Sequence, residues 1–357
     1  YAYVMGESVA ALFLAGIVPG VLVGVGLMVM VRLMADRYDL PKAERIVTKN
    51  QTIAPIEYWL SFILARINLM GLLWAVMRAV QSLTGFEKPQ GVMIWGTLAV
   101  LIILAHVLLV ALRGQVSADF RTVCKKGVVP LQTPIIILGG ILMGVMTPTE
   151  ASTIAVAYAL LVSVFVLKSL TWTDFFDVLQ RSALASASVL LLVGAAVAFK
   201  TIVATSGAAT TLADLILGLS ENPLILLFLI NILLFIVGMF LDAGPAIIIL
   251  GPILGPIFVD IGVHPVHFAI IMSVNLTVGL ATPPMGLVLF VASTVSREKV
   301  ETIAKAILPF LAVEVVVIFL ITFFPQISMT VPYLADFLGC PPDLGYMACI
   351  SPEPPTN

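Results

Sequence analysis

Long apolar runs separated by short polar turns cover most of the chain, at roughly 8–32, 57–84, 91–112, 127–147, 151–167, 183–203, 223–240, 267–293 and 305–325. A membrane-crossing α-helix takes about 20 mainly apolar residues, so the pattern predicts an all-α polytopic membrane protein. The first run is too long and too often interrupted by glycine for a signal peptide, and it reads as a span. An initiator Met and a leading polar segment are both missing before Tyr1, so the chain reads as a fragment.

Lys and Arg in short loops set the orientation. Arg32, Arg37, Lys42, Arg45 and Lys49 precede the second run, and Arg113, Arg121, Lys125 and Lys126 follow the third, which puts both loops in the cytoplasm. Lys168 and Arg181, then Arg297, Lys299 and Lys305, mark two further basic stretches. Full crossings at every run cannot place all of these on one side. One apolar segment is therefore expected to be re-entrant or broken.

Two segments qualify. Residues 241–258 carry Gly244, Pro245, Gly251, Pro252, Gly255 and Pro256 in an otherwise apolar run. Proline removes helical amides and glycine weakens a helix, so a hairpin of two short helices is expected there. Within 267–293, Pro283 and Pro284 remove two adjacent amides, and the second pushes its predecessor out of the helical region. A broken helix follows, with the carbonyls of Gly279 to Thr282 left without helical donors. In a bilayer such carbonyls need a partner. Ser, Thr or water in a kinked helix is one solution, and a dehydrated cation is the other. Pro-Pro, two glycines, Asn275 and Thr282 between positions 275 and 286 favour the cation.

Composition narrows the function. Apolar residues make up 61% and charged residues 11%, against about 25% charged in soluble domains, and the mean hydropathy is +1.14. A soluble enzyme is excluded on these figures. A net charge of −2 offers no basic face for nucleic acid. Three cysteines are too few for a disulfide scaffold or a dedicated metal site. Nucleotide-binding and hydrolase motifs are absent, and Asp242, Glu150 and His106 are too scattered for an intramembrane catalytic dyad.

Fainter signals divide between structure and function. Thr147-Pro148-Thr149-Glu150 reads equally as a helix start and as a substrate contact. Asp242, at the mouth of the expected hairpin, is the strongest functional acid, ahead of Glu150 and Glu314. His106 is expected to hydrogen-bond between helices. His264 and His267 have a spacing that suits a metal, but no cluster accompanies them. Cys340 and Cys349 can pair if the tail is extracytoplasmic. Residues 171–182 and 208–220 read as interfacial amphipathic helices.

Several strings together resemble the large membrane (M, DctM-like) subunit of tripartite ATP-independent periplasmic (TRAP) transporters. They are Leu12-Phe-Leu-Ala-Gly-Ile-Val-Pro-Gly20, Gly139-Gly-Ile with Thr147-Pro-Thr-Glu-Ala151, Gly238-Met-Phe-Leu-Asp242, Gly262-Val-His-Pro-Val-His-Phe268, and Asn275…Gly279…Thr282-Pro-Pro-Met-Gly286. The resemblance implies an inverted-repeat, elevator-type secondary transporter with a re-entrant helical hairpin and a broken helix in each repeat. It implies sodium-coupled uptake of an organic anion such as a dicarboxylate or sialic acid. A periplasmic binding protein would deliver the anion, and a small four-helix (Q-type) membrane subunit would brace the scaffold in a bacterial inner membrane.

By motif position, a sodium site would use carbonyls of Gly238, Gly279, Thr282 and Met285. Asp242, Asn275, Pro283, Pro284, Gly286, Thr147 and Thr149 would line the substrate and ion pathway. No cofactor beyond the sodium ion and no catalytic residue is implied. Residues 1–32 would end a first repeat whose own hairpin is absent, so the chain alone would not transport. Residues 33–126 add cytoplasmic loops and two spans that no motif explains, 127–334 form the second repeat, and 335–357 are a tail. A stand-alone ion-coupled carrier of the same architecture is the alternative.

Overall fold

The structure, a computed structural model, describes residues 1–35, 53–84, 91–207, 222–335 and 346–350, with 211, 218, 337 and 338 besides. In chain order its helices are α1 (Ala2–Met5), α2 (Val9–Ala35), α3 (Pro55–Thr84), α4 (Val92–Arg113), α5 (Ala118–Leu142), α6 (Pro148–Leu161) and α7 (Trp172–Ser206). Then follow α8 (Pro223–Phe240), α9 (Ala243–Asp260), α10 (Pro265–Gly279), α11 (Leu287–Ser296), α12 (Val300–Phe323), α13 (Gln326–Leu334) and α14 (Tyr346–Ile350). Among the described residues there is no strand, and seven helices are long and apolar enough to cross a membrane. The all-α polytopic reading holds.

The chain divides into two compact units, residues 42–181 and residues 1–41 with 182–357. In the first, α3, α4 and α5 pack together and α5 packs on α6. The two spans that no motif explains are α3 and α4. They are joined by Arg66, whose Nε–H donates to His106 Nδ1 at 3.0 Å, so His106 does bridge helices. Small residues sit at the contacts: Ala105, Ala151 and Ala155 are buried, and small side chains let helices approach closely where lipid supplies no hydrophobic drive. Tyr158 OH, on α6, donates to Val129 O on α5 at 2.8 Å.

The second unit is built around α10. Eleven of its 15 residues are buried, the signature of a helix enclosed on all sides. Leu226, Leu227, Ile230 and Leu234 of α8 and Leu254 and Phe258 of α9 form one wall with Phe268, Met272 and Leu276. Phe258 stacks on Phe268 with centroids 4.7 Å apart. On another side Ala11 and Ala15 of α2, Val317 and Ile321 of α12 and Met329 of α13 close over Val266 and Ile270. Gly26 of α2 sits under Val313, whose Cγ1 would lie 2.7 Å from an added Cβ.

Two sequence readings change. Residues 241–258 do not form two short helices, because 243–260 is a single helix, α9, and the chain turns at Leu241-Asp242 instead. Pro245 stands in the first turn, where its missing amide costs nothing. Gly251 and Gly255, four apart, lie under Tyr1 and Met5 of the N-terminal segment, so they serve close packing rather than a bend. Residues 171–182 are not a separate interfacial helix but the first turns of α7, which runs on through the span. Most of 208–220 lies outside the described residues, as does Cys340; Cys349 on α14 is disulfide-bonded.

Candidate functional site

The break after α10 is a compact loop, Leu280–Gly286, with a cis bond between Pro283 and Pro284. Its backbone is better satisfied than the prolines suggest. Thr282 N–H donates to Gly279 O at 2.9 Å, Val288 N–H to Leu280 O at 3.1 Å and Gly286 N–H to Thr282 O at 3.1 Å. Tight turns therefore replace the missing helical donors, and of the four carbonyls expected to be orphaned only Ala281 O has no donor among the described residues. Each of the others keeps one lone pair, since a carbonyl oxygen has two. Gly286 is obligatory here, because a Cβ would collide with Leu280 O and lie 2.9 Å from Thr282 N.

The C-terminal end of α8 is pressed against this break. A Cβ on Gly279 would lie 2.6 Å from Gly238 Cα, and one on Gly238 would lie 2.9 Å from Leu276 O. The last turn of α8 leaves carbonyls unsatisfied, as helix ends do. Leu241 N–H takes Val237 O, and Gly238 O receives no N–H among the described residues. The structure thus brings together Gly238, Gly279 and, one turn on, the buried Thr282, whose Oγ1 donates to Val278 O at 2.9 Å.

The remaining candidates scatter. Pro283 is half-buried, Pro284 exposed, and the Met285 side chain is 54% exposed, so only its carbonyl could join an ion site. Asp242 is exposed at the turn between α8 and α9 and makes no capping bond. Thr147 and Thr149 belong to the other unit. There Thr147 Oγ1 accepts from Glu150 N–H at 3.3 Å while Glu150 Oε2 accepts from Thr147 N–H at 2.8 Å. That is a capping box, which accounts for Thr147 and Glu150 structurally and leaves Thr149 Oγ1 without a partner among the described residues.

Asn275 is the hub of a network that sequence reasoning missed. Its Nδ2 donates to Asn231 Oδ1 at 2.6 Å and to Ile271 O at 2.8 Å. Thr322 Oγ1 lies 3.2 Å from the same Asn231 oxygen and 2.8 Å from Ile318 O. His267 continues it, with Nδ1 2.7 Å from Ser328 Oγ and Nε2 3.3 Å from Thr322 O. All five side chains are buried, and they tie α8, α10, α12 and α13 together. A cavity of about 130 Å³ opens beside Asn231 and Asn275. The signal for Asn231 was its standing alone in the apolar run 223–240, since a lone polar group at membrane depth needs a partner.

His264 and His267 are both engaged in hydrogen bonds within the protein. His264 caps α10, its Nδ1 accepting from Val266 N–H at 3.2 Å, and burial lowers its pKa to about 4. Among the described residues no three His, Cys, Asp or Glu side chains form a metal-binding group. What the site offers is backbone and hydroxyl oxygen, the donor set of a hard cation.

The family model described as "Tripartite ATP-independent periplasmic transporter, DctM component" matches residues 1–103 and 71–327. These stretches take in α3 and α4. The chain is 44% identical over 199 residues (56% of the chain, 31% of the relative) to an isethionate TRAP transporter permease protein, DctMQ, of Oleidesulfovibrio alaskensis. It is 39% identical over 215 residues (60% and 50%) to a sialic acid TRAP transporter large permease protein, SiaM, of Vibrio cholerae. It is 30% identical over 332 residues (93% and 62%) to a C4-dicarboxylate TRAP transporter large permease protein, DctM, of Pseudomonas aeruginosa. The chain thus spans from 31% to 62% of the length of these curated relatives.

Proposed function

We propose a function from one premise: the chain belongs to the DctM component family of tripartite ATP-independent periplasmic transporters. It serves in a bacterial inner membrane as part of a large permease subunit that takes up an organic anion by sodium-coupled alternating access. The anion comes from a periplasmic binding protein, and a small membrane subunit completes the permease. No covalent step is involved. Relatives named for C4-dicarboxylate, sialic acid and isethionate support an organic anion as the substrate class.

The observation that carries the coupling is the contact of Gly238 with Gly279. It sets Gly238 O, donor-free among the described residues, beside the broken helix that carries the Gly279, Ala281 and Thr282 carbonyls. Unwound carbonyls and helix C-terminal ends are the groups that coordinate sodium in secondary transporters. Met285 O completes the set in this reading, and the anion lies between the Leu241-Asp242 turn and the break.

The test is uptake of radiolabelled carboxylates into proteoliposomes holding the full-length protein, its small subunit and its binding protein. Uptake should require an inward sodium gradient and the binding protein, and T282V should raise the sodium concentration for half-maximal rate. Uptake indifferent to both sodium and the binding protein would replace this reading with a stand-alone carrier.

A further inference from the structure

A cavity of about 500 Å³ lies within the unit of residues 42–181, where the start of α3, the end of α4 and the start of α5 meet. Four cationic side chains line it: Arg66, Arg113, Arg121 and Lys125. No described carboxylate lines it, and none of the four has an ion-pair partner among the described residues. The N-terminus of α5, capped by Ser117, opens into the same space through Val116 and Ala118, and it adds the positive end of a 25-residue helix.

Much of the remaining lining is apolar. Leu109, Val110 and Leu112 of α4 and Val128 of α5 belong to this part. Tyr58 lines the cavity and Trp59, 62% exposed, follows in the chain, and Tyr and Trp rings at the ends of spans mark headgroup depth. Arg66 is held toward the cationic end. Its Nη1–H donates to Phe62 O at 2.6 Å and its guanidinium carbon lies 3.2 Å from the Phe62 ring centroid, as a snorkelling arginine would be. Lys125 Nζ lies 4.3 Å from the Tyr58 ring centroid. A phosphate for the cations and an acyl chain for the apolar side chains would match the lining. A soluble anion would leave the apolar part wet.

We propose that this pocket is a headgroup site for an anionic phospholipid of the leaflet on the side of the turn between α4 and α5. Arg113, Arg121 and Lys125 hold the phosphate, Arg66 lies deeper, and the acyl chains run along α4 and α5. Basic pockets between spans recognise anionic headgroups in this way. The proposal is independent of the transport reading.

The test titrates the purified full chain in detergent with phosphatidylglycerol and with phosphatidylcholine of the same acyl chains, counting bound lipid by native mass spectrometry. Phosphatidylglycerol should bind about tenfold tighter or more, and R113Q/R121Q/K125Q should bring the two lipids level. The charge-keeping R113K/R121K should retain the preference, and R297Q/K299Q, in another basic loop, should leave it unchanged. If the triple variant loses helicity by circular dichroism, R121Q alone is read for a smaller loss of preference. Equal affinity for the two lipids overturns the proposal. So does an equal loss in the R297Q/K299Q variant, which would mean general surface charge. Displacement of phosphatidylglycerol by millimolar inorganic phosphate or glycerol phosphate would also overturn it, in favour of a soluble-anion site.

Discussion

Gly238 and Gly279 meet backbone to backbone, so closely that a methyl group on Gly279 would sit 2.6 Å from Gly238 Cα. The contact fixes the end of α8 against the loop that follows α10, of which 11 of 15 residues are buried.

Replacing either glycine by alanine should therefore force the two helices apart. Overpacking of this kind costs about 1–3 kcal/mol, and here the opposing atoms are backbone with no rotamer to yield. G279A and G238A should lower the thermal unfolding midpoint in detergent. G139A, whose added Cβ meets nothing within 4 Å, should be neutral or slightly stabilising. Equal behaviour of all three would contradict the contact.

Asn231 Oδ1 takes the Asn275 amide and a share of the Thr322 hydroxyl proton. Loss of one buried hydrogen-bond partner costs about 1–3 kcal/mol. N275A and T322V should each destabilise, and together by more than their sum, because only the pair leaves Asn231 Oδ1 without a donor. A coupling of about 0.5–3 kcal/mol is expected from unfolding of the single and double variants. Strict additivity would mean that the network does not act as a unit.

Thr147 separates a structural from a substrate role. T147S preserves the cap and should leave stability and uptake unchanged, whereas T147A should cost about 1 kcal/mol. T149A should change stability little, since its hydroxyl bonds nothing among the described residues. Should T149A abolish uptake with stability intact, Thr149 would be a substrate contact.

His264 caps α10 as a neutral ring with a pKa lowered to about 4 by burial. A group bound to its proton less tightly when folded than when unfolded favours the native state at high pH. Its contribution is full above the unfolded value near 6.5 and declines as pH falls toward about 4. H264N, which keeps a capping acceptor that does not titrate, should flatten the acid side of the stability profile between those limits. A profile as steep as that of the parent would locate the titration elsewhere.

The spans were legible because hydropathy and length alone decide them, and α3, α4 and α12 fall close to their predicted runs. The break after Gly279 was legible because two consecutive prolines cannot continue a helix. The single helix at 243–260 was not, because glycine and proline also line helix faces, and only the positions of Tyr1 and Met5 show which role Gly251 and Gly255 play. The repaired carbonyls of Gly279, Leu280 and Thr282 were equally hidden, since turn hydrogen bonds depend on where the chain goes next. Of the site residues, the motif strings found Gly238, Gly279 and Thr282, while Thr322 entered only through tertiary contact with Asn231.

Enclosure of α10 also bears on biogenesis. With 15 residues, and with His267 and Asn275 buried in it, it is too short and too polar to partition into lipid as a lone segment. On that ground it should enter stably only once Asn231 of α8 and Thr322 of α12 are present to receive its polar groups. The helix around which its unit is built is thus one whose entry into the membrane depends on its neighbours.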